Sequence, residues 1–145
     1  MSSVAAILRH KGYQITAVDP TATIAHVAEV LAQRRIGAVL ILDRSEQLLG
    51  IVSERDIVQS LAANGVSTLE MTAGQLMTRA LHVVHPETSV VEAMTLMTTS
   101  RVRHLPVLDH EVLVGLISIG DVVKARIMEQ ETEVEGLKAY VSGTS

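Results

Sequence analysis

A serine and an aspartate recur three positions apart at two places in the chain. The first copy reads GIVSERDIV from residue 50, and the second reads GLISIGDVV from residue 115. A carboxylate can accept hydrogen bonds from the hydroxyls of a ribose, as the acidic residue of dinucleotide-binding folds does. A neighbouring serine hydroxyl can reach a phosphate, and the free N–H groups of a helix start favour an anion. Ser53 with Asp56, and Ser118 with Asp121, are therefore candidate nucleotide-binding pairs.

The same two pairs also fit a structural role. Ser-x-x-Asp at a helix start is nearly a capping box, in which the serine accepts a hydrogen bond from a first-turn N–H group. The carboxylate would also stabilise the positive end of the helix dipole. Gly50 and Gly115 stand three residues before the serines, and glycine at a strand end lets a ligand approach the backbone closely. The glycines favour binding, but the motif alone leaves both roles open.

The two motifs belong to a duplicated segment. Residues 19–43 align with residues 85–109 at an offset of 66, and one residue is then lost in a turn, so that Gly50 aligns with Gly115. Each copy has a short apolar segment that ends at a proline, a helical pattern, two aliphatic runs around a polar turn, and a second helix that starts at the serine. The sequence predicts an α/β (α+β) chain with two tandem β-α-β-β-α units.

Further helices flank the two units. A short N-terminal helix should end at Gly12, and a second one in the linker should begin at Thr72, capped with Gln75, and run to about Thr78. The helix after Asp121 should be long, because neither proline nor glycine interrupts VVKARIMEQETEVE. Its apolar residues at seven-residue spacing are Ile127, Val134 and Val141, with Leu137 between them. That spacing fits a packing seam with another subunit, or a solvated tail.

Composition excludes several classes of function. The net charge is −4, so a basic footprint for a phosphate backbone is missing, and Phe and Trp are absent, so bases have no stacking platform. No cysteine is present, which excludes disulfides and thiolate chemistry. The apolar runs are too short for a membrane span, and the start of the chain does not read as a signal peptide. We predict a cytoplasmic protein that binds neither nucleic acid nor membrane.

Motifs for catalysis or metal binding are not found. The sequence has no P-loop, G-x-G-x-x-G, H-E-x-x-H or G-x-S-x-G motif. His82 and His85 would face opposite sides of a strand, while His110 and Glu111 lie in a predicted turn. We therefore predict a non-enzymatic protein without a metal site.

The chain resembles a tandem CBS-domain pair, or Bateman module, of the stand-alone bacterial type; these modules are named after cystathionine β-synthase. The resemblance rests on VDPTATIAHVAEVLAQRRIGAVLILD with GIVSERDIV, and on HPETSVVEAMTLMTTSRVRHLPVLD with GLISIGDVV. It covers about Lys11 to Ile127, and the second copy has SIGD where the first has SERD. It implies two motifs packed with pseudo-twofold symmetry. Residues 1–66 would hold the N-terminal helix and motif 1, and residues 67–145 the linker helix, motif 2 and the C-terminal helix.

The resemblance also implies a function. Adenosine-containing ligands (AMP, ATP, NAD(H) or S-adenosylmethionine) would bind between the motifs as regulatory ligands, not catalytic cofactors. A homodimer would transmit occupancy to an unidentified target protein. One site would contain Ile15, Thr16, Ile36, Gly37, Ala38, Arg103, His104, Ser118 and Asp121. The other would contain Arg35, Ser53, Arg55, Asp56, Leu81, His82, Val102 and Arg103. The alternatives are a dimerisation module whose clefts stay empty and a small enzyme acting on a nucleotide.

Overall fold

The computed structural model describes residues 2–79 and 82–142. The chain divides into two compact units, one formed by residues 14–81 and the other by residues 1–13 together with residues 82–145. The boundary between residues 66 and 67 stays our prediction for where the duplicated halves meet in the sequence. Within the described residues, no helix has the length and apolar character needed to cross a membrane.

The first unit contains one complete repeat and the linker helix. Its elements are β1 (Ala17–Val18), α2 (Ile24–Arg34), β2 (Ala38–Leu42), β3 (Leu48–Ser53), α3 (Glu54–Asn64), a 3₁₀-helix (Gly65–Glu70), α4 (Ala73–Leu76) and β4 (Thr78–Arg79). The strands form one sheet in the order β1-β2-β3-β4, in which β1 is parallel to β2 and the other neighbours are antiparallel. As predicted, Thr72 and Gln75 form a capping box on the linker helix, although this helix ends before Thr78.

Periodicity explains the core of this unit. Ile24, Val27 and Leu31 recur at helical spacing and form the buried face of α2. Alternate residues of β2 and a residue of β3 meet this face; the buried members of the cluster are Ile24, Val27, Leu31, Val39, Ile41, Val52, Ile57 and Ala73. Burying each large aliphatic side chain contributes about 1.5–3 kcal/mol, so this face fixes α2 on the sheet.

The second unit contains the second repeat and the N-terminal helix. Its elements are α1 (Val4–Lys11), α5 (Val90–Ser100), β5 (His104–Asp109), β6 (Val112–Ser118) and α6 (Ile119–Ser142). The strands β5 and β6 are antiparallel, and the first strand expected in this repeat is reduced to a parallel bridge between Val84 and Val107. Ser89 and Glu92 form the predicted capping box on α5.

The two repeats share their strand register. Val18 pairs with Ile41 in the first repeat, and Val84 pairs with Val107 in the second. A register shift follows Ile41 in β2 and follows Val107 in β5. Both pairings and both irregularities therefore recur at an offset of 66, which confirms the duplication inferred from the sequence.

One short helix also packs on each repeat. The linker helix α4 packs on the first repeat, and the N-terminal helix α1, which precedes the first repeat in the sequence, packs on the second. The N–H of Ala73 in α4 donates to the Ala22 carbonyl at 2.7 Å, within the first repeat. The N–H of Val4 in α1 donates to the Thr88 carbonyl at 2.8 Å, within the second repeat. Because Ala22 and Thr88 are equivalent positions, α1 has the same place on the second repeat that α4 has on the first.

Helix α6 is long, as the uninterrupted sequence predicts. All four of its predicted seam residues are half exposed or more: Ile127 at 50%, Val134 at 51%, Leu137 at 62% and Val141 at 70%. None of them belongs to the hydrophobic cluster that the described residues of the second unit form.

Candidate functional site

Both Ser/Asp pairs lie where a strand runs directly into a helix. At the start of α3, the Ser53 Oγ accepts a hydrogen bond from the Asp56 N–H at 3.2 Å, and the Asp56 Oδ2 accepts one from the Ser53 N–H at 2.9 Å. At the start of α6, the corresponding distances for Ser118 and Asp121 are 3.2 and 2.8 Å. The structural role is therefore confirmed: each pair satisfies N–H groups that a helix start leaves without a partner.

The two carboxylates differ in their third contact. The Asp56 Oδ2 accepts a hydrogen bond from the Ser53 hydroxyl at 3.0 Å. The Asp121 Oδ2 accepts one from the Lys11 ammonium at 2.7 Å, and this ammonium also donates to the Leu116 carbonyl at 2.9 Å. The Ser118 side chain is a further hydrogen-bond partner of the Asp121 carboxylate. The ion pair is partly accessible, since the side chains of Lys11 and Asp121 are 35% and 22% exposed. The duplicated motif thus has two electrostatic environments.

The ionisation of Asp121 follows from this environment. Partial burial raises the pKa of the carboxyl group, because burial disfavours the charged form. Hydrogen bonds from Lys11 and from the Ser118 backbone, together with the Lys11 charge, lower it by more, so that the pKa of Asp121 lies below its ordinary value. The group is a carboxylate at neutral pH, and a carboxylate only accepts hydrogen bonds.

The strand start of each repeat is tied to the same helix start. The Glu54 N–H donates to the Gly37 carbonyl at 2.9 Å, and the Ile119 N–H donates to the Arg103 carbonyl at 2.8 Å. In the hairpins, Ala38 pairs with Ser53 and His104 pairs with Ser118. Residues just before and at the start of the second strand therefore lie beside the Ser/Asp pair of their own repeat.

The side chains expected to bind phosphate differ in their exposure to solvent. Arg35 caps α2 in the left-handed conformation, with φ of 54°, and is exposed. Arg55, in the first turn of α3, and Arg103, just before β5, are also exposed, whereas His104 is half-buried. Exposed guanidinium groups are available to an anion, and arginine can bind phosphate through two parallel hydrogen bonds.

The remaining predicted residues fall into three groups. Ile15, Thr16, Ile36 and Val102 are half-buried. The Thr16 carbonyl accepts a hydrogen bond from the Leu40 N–H at 3.1 Å, beside the first strand. His82 is exposed, and Leu81 lies outside the described residues. The assignment of each site to residues from both repeats stays a prediction.

The interpretation of the two glycines as openings for a ligand is wrong. A Cβ atom on Gly50 would lie 2.6 Å from the Thr78 carbonyl oxygen, and one on Gly115 would lie 2.6 Å from the Leu8 Cδ2. The protein itself fills both spaces, with β4 in one unit and α1 in the other. A side chain at either position would force its neighbour to shift, because real Cβ atoms do not approach other atoms so closely.

Lys11 and Leu8 are the site residues that the sequence did not reveal. Their contacts depend on α1 packing against β6, more than 100 positions later in the chain. The only local signal is the end of the helix at Gly12, which says nothing about its partner.

Histidine and acidic residues do not form a metal centre in the described part of the chain, where no group of three metal-ligating side chains occurs. The His85 Nδ1 lies 2.9 Å from the Leu108 carbonyl oxygen, and the His110 Nδ1 lies 2.8 Å from the Asp109 Oδ1. Both histidines thus have local partners.

Two β-α-β-β-α units, each with a serine and an aspartate at a strand-to-helix junction, define a tandem-repeat α/β protein. The family model for the CBS domain matches residues 4–63 and 73–127. The chain belongs to the CBS domain family.

Individual relatives agree with this assignment. A mitochondrial CBS domain-containing protein of Arabidopsis thaliana is 38% identical over 125 residues, which is 83% of this chain and 61% of the plant protein. This chain therefore spans about three fifths of that relative. The crystal structure of a CBS-domain containing protein of Agrobacterium tumefaciens has a TM-score of 0.84 and 37% identity, covering 86% of this chain and 93% of that one.

A third relative was solved with a ligand. The CBS domain protein of Pyrobaculum aerophilum complexed with AMP has a TM-score of 0.76 and 27% identity, covering 90% of this chain and 98% of that chain. A similar fold in this family therefore holds an adenine nucleotide.

Proposed function

We propose that the chain is a regulatory module that binds an adenosine-containing ligand at its Ser/Asp pairs and has no catalytic activity of its own. The observation that carries the proposal is the AMP complex of the archaeal relative, taken together with the repeated Ser/Asp geometry of this chain. AMP is the first candidate; ATP, NAD(H) and S-adenosylmethionine are the others.

The cap geometry is compatible with ligand binding. The Oδ2 atoms of Asp56 and Asp121 accept the hydrogen bonds from the cap N–H groups, from the Ser53 hydroxyl and from Lys11. Each Oδ1 therefore keeps its lone pairs for ribose hydroxyls, while Oδ2 holds the helix start in place. A preorganised carboxylate of this kind does not have to be ordered when the ligand arrives, which reduces the cost of binding.

The other proposed contacts follow the chemistry of a nucleotide. Arg35, Arg55, Arg103 and His104 would bind phosphate, and the half-buried residues Ile15 and Val102, which lie two positions before β1 and β5, would contact the base. Binding regulates a partner only if the ligand stabilises one arrangement of the protein more than another.

Calorimetric titration with AMP tests the proposal. Asp56→Asn and Asp121→Asn each keep an oxygen that can serve the cap but remove the charge that would accept the ribose hydroxyls. We expect each variant to weaken AMP binding at its own site by about tenfold or more, the equivalent of one hydrogen bond to a charged group. Asp19→Asn is the matched control, because Asp19 caps a turn with Thr21 and is not a proposed ligand residue.

Two results would contradict the proposal. One is a wild-type protein that binds none of the adenosine compounds. The other is an Asp56→Asn/Asp121→Asn double variant that binds AMP as tightly as the wild type, while circular dichroism shows that it is folded.

We also propose a homodimer. The exposed apolar residues of α6, Ile127, Val134 and Leu137, support association through this helix, because they recur along one stripe. Sedimentation equilibrium should give a dimer mass for the wild type and a lower mass for Val134→Glu. A monomeric wild type would refute this part of the proposal without affecting ligand binding.

A further inference from the structure

A groove lies between α1 and α6 within the second unit. Its volume is about 780 Å³, in the range of small-molecule sites. Lys11, Asp121 and Lys124 line one end, and Ser2 and Glu129 line the other. The apolar part of the lining consists of Ala6, Ile7, Ala125 and Met128, and the remaining lining residues are His10, Thr132 and Glu133. The ion pair of Asp121 is therefore one wall of a concave space.

Counting hydrogen bonds shows what this ion pair can still bind. An ammonium has three N–H groups, and Lys11 uses two of them, on Asp121 and on the Leu116 carbonyl. The carboxylate of Asp121 uses Oδ2 for Lys11 and for the Ser118 N–H. One N–H of Lys11 and the Oδ1 of Asp121 remain for a ligand, and they suit an anionic oxygen next to a hydroxyl.

A buried carboxylate at the opposite end also points to a ligand. The side chain of Glu129 is only 9% exposed. Its Oε1 accepts a hydrogen bond from the Ser2 N–H at 3.1 Å, while the buried Oε2 accepts none from the described residues and lies 3.5 Å from the Arg126 Nη1. A buried acceptor without a donor costs free energy, and a ligand amine or hydroxyl in the groove would remove that cost.

Among the described residues, the first repeat does not show this arrangement. Asp56 is held by the Ser53 hydroxyl, which is uncharged, where Asp121 is held by an ammonium. Lys11 reaches Asp121 because α1 continues through residue 11, whereas α4, which has the equivalent place on the first repeat, ends at Leu76.

We propose that the groove between α1 and α6 is part of the ligand site at Asp121, and that Lys11 restricts this site to anionic adenosine compounds. The inference rests on the proposed function. Lys11 binds an anionic group of the ligand while it orients Asp121 toward the ribose. Phosphate-bearing ligands such as AMP satisfy both residues. Adenosine has no anionic group, and the sulfonium of S-adenosylmethionine places a positive charge near the ammonium.

The test compares AMP, adenosine and S-adenosylmethionine by calorimetry on a background protein that carries only Asp56→Asn and on three variants of it. Lys11→Met keeps the length of the side chain and removes its charge, and Lys11→Arg keeps the charge. Arg9→Met is the matched control, since it removes a positive charge from an exposed position of α1 that does not line the groove. To isolate the site at Asp121, all four proteins carry Asp56→Asn.

We expect the background protein to bind AMP more tightly than adenosine, and adenosine more tightly than S-adenosylmethionine. Lys11→Met should weaken AMP binding by about tenfold and leave adenosine within about twofold, whereas Lys11→Arg and Arg9→Met should keep the preference for AMP.

Three outcomes would overturn the inference. If Lys11→Met weakens AMP and adenosine equally, Lys11 only supports the fold. If S-adenosylmethionine binds the background protein as tightly as AMP, the selectivity is absent, a result that does not depend on any substitution at Lys11. In both cases binding at Asp121 would persist and the proposed function would stand. If no adenosine compound binds even the wild type, the proposed function fails and the inference fails with it.

Discussion

Replacing Gly115 by alanine tests how closely α1 packs on the second repeat. The added Cβ would lie 2.6 Å from the Leu8 Cδ2 and 3.1 Å from the Leu8 Cδ1. Leu8 is 1% exposed and belongs to the core of its unit, so it cannot turn into solvent to avoid the contact. Overpacking of this kind costs about 1–3 kcal/mol, and we expect Gly115→Ala to lower the free energy of unfolding by that amount.

The same substitution should stabilise the protein once Leu8 has been shortened. Leu8→Ala alone should cost about 2–5 kcal/mol, because it leaves a cavity. The Cβ that Gly115→Ala adds would enter that cavity. In addition, the loss of conformational entropy on folding a strand costs about 0.5–1 kcal/mol less free energy for alanine than for glycine. The sign of the effect therefore reverses, and the coupling energy between the two positions should be about 2 kcal/mol or more.

Urea unfolding followed by far-ultraviolet circular dichroism measures this cycle, because the chain has no tryptophan to report by fluorescence. Gly136→Ala is the control, since no atom lies within 4 Å of the added Cβ in α6; it should stabilise the helix by up to about 1 kcal/mol. If Gly115→Ala has the same sign in both backgrounds, or if the two substitutions add within about 0.5 kcal/mol, α1 does not pack as described.

Two further predictions concern helix ends. Because the pKa of Asp121 is lowered in the folded state, the stability that its carboxylate contributes is present above the unfolded pKa and is lost as the pH falls through the folded pKa. The stability difference between the wild type and Asp121→Asn should thus be constant near neutral pH and shrink below about pH 4; a difference that grows on acidification would contradict the assignment. Arg101, with φ of 56°, caps α5 in the left-handed conformation. Arg101→Gly should therefore stabilise the protein by about 0.5–1 kcal/mol, which a rise in melting temperature would show. If Arg101→Gly melts no higher than Arg101→Ala, the backbone at this position is not strained.

The elements could be predicted because their signals are local. Apolar residues at helical spacing gave α2 and α5, aliphatic runs around a polar turn gave the hairpins, and capping pairs such as Ser89 with Glu92 gave the helix starts. The duplication added a second observation of each element, so that a weak pattern in one copy was supported by the other. The Ser/Asp caps were predicted for the same reason.

Contacts between distant segments could not be predicted in this way. Gly50 and Gly115 were interpreted as openings for a ligand, because glycine at a strand end is compatible with any close neighbour. The neighbours are β4 and α1, and nothing near either glycine in the sequence identifies them. The sequence analysis also grouped the N-terminal helix with the first repeat and the linker helix with the second, whereas hydrogen bonds join α1 to the second repeat and α4 to the first.

The packing of α1 on the second repeat and of α4 on the first explains why, among the described residues, Asp121 contacts an ammonium and Asp56 contacts a hydroxyl. The caps of α3 and α6 have the same geometry within about 0.1 Å, so the motif itself does not distinguish them. What differs is the helix packed beside each cap: α1 is longer than α4 and brings Lys11 onto Asp121. A change in α1 can therefore alter the charge at Asp121 without altering the motif. In this tandem repeat, differences in ligand specificity between the two Ser/Asp pairs should therefore arise from the flanking helices α1 and α4, which differ in length, and not from the motifs themselves.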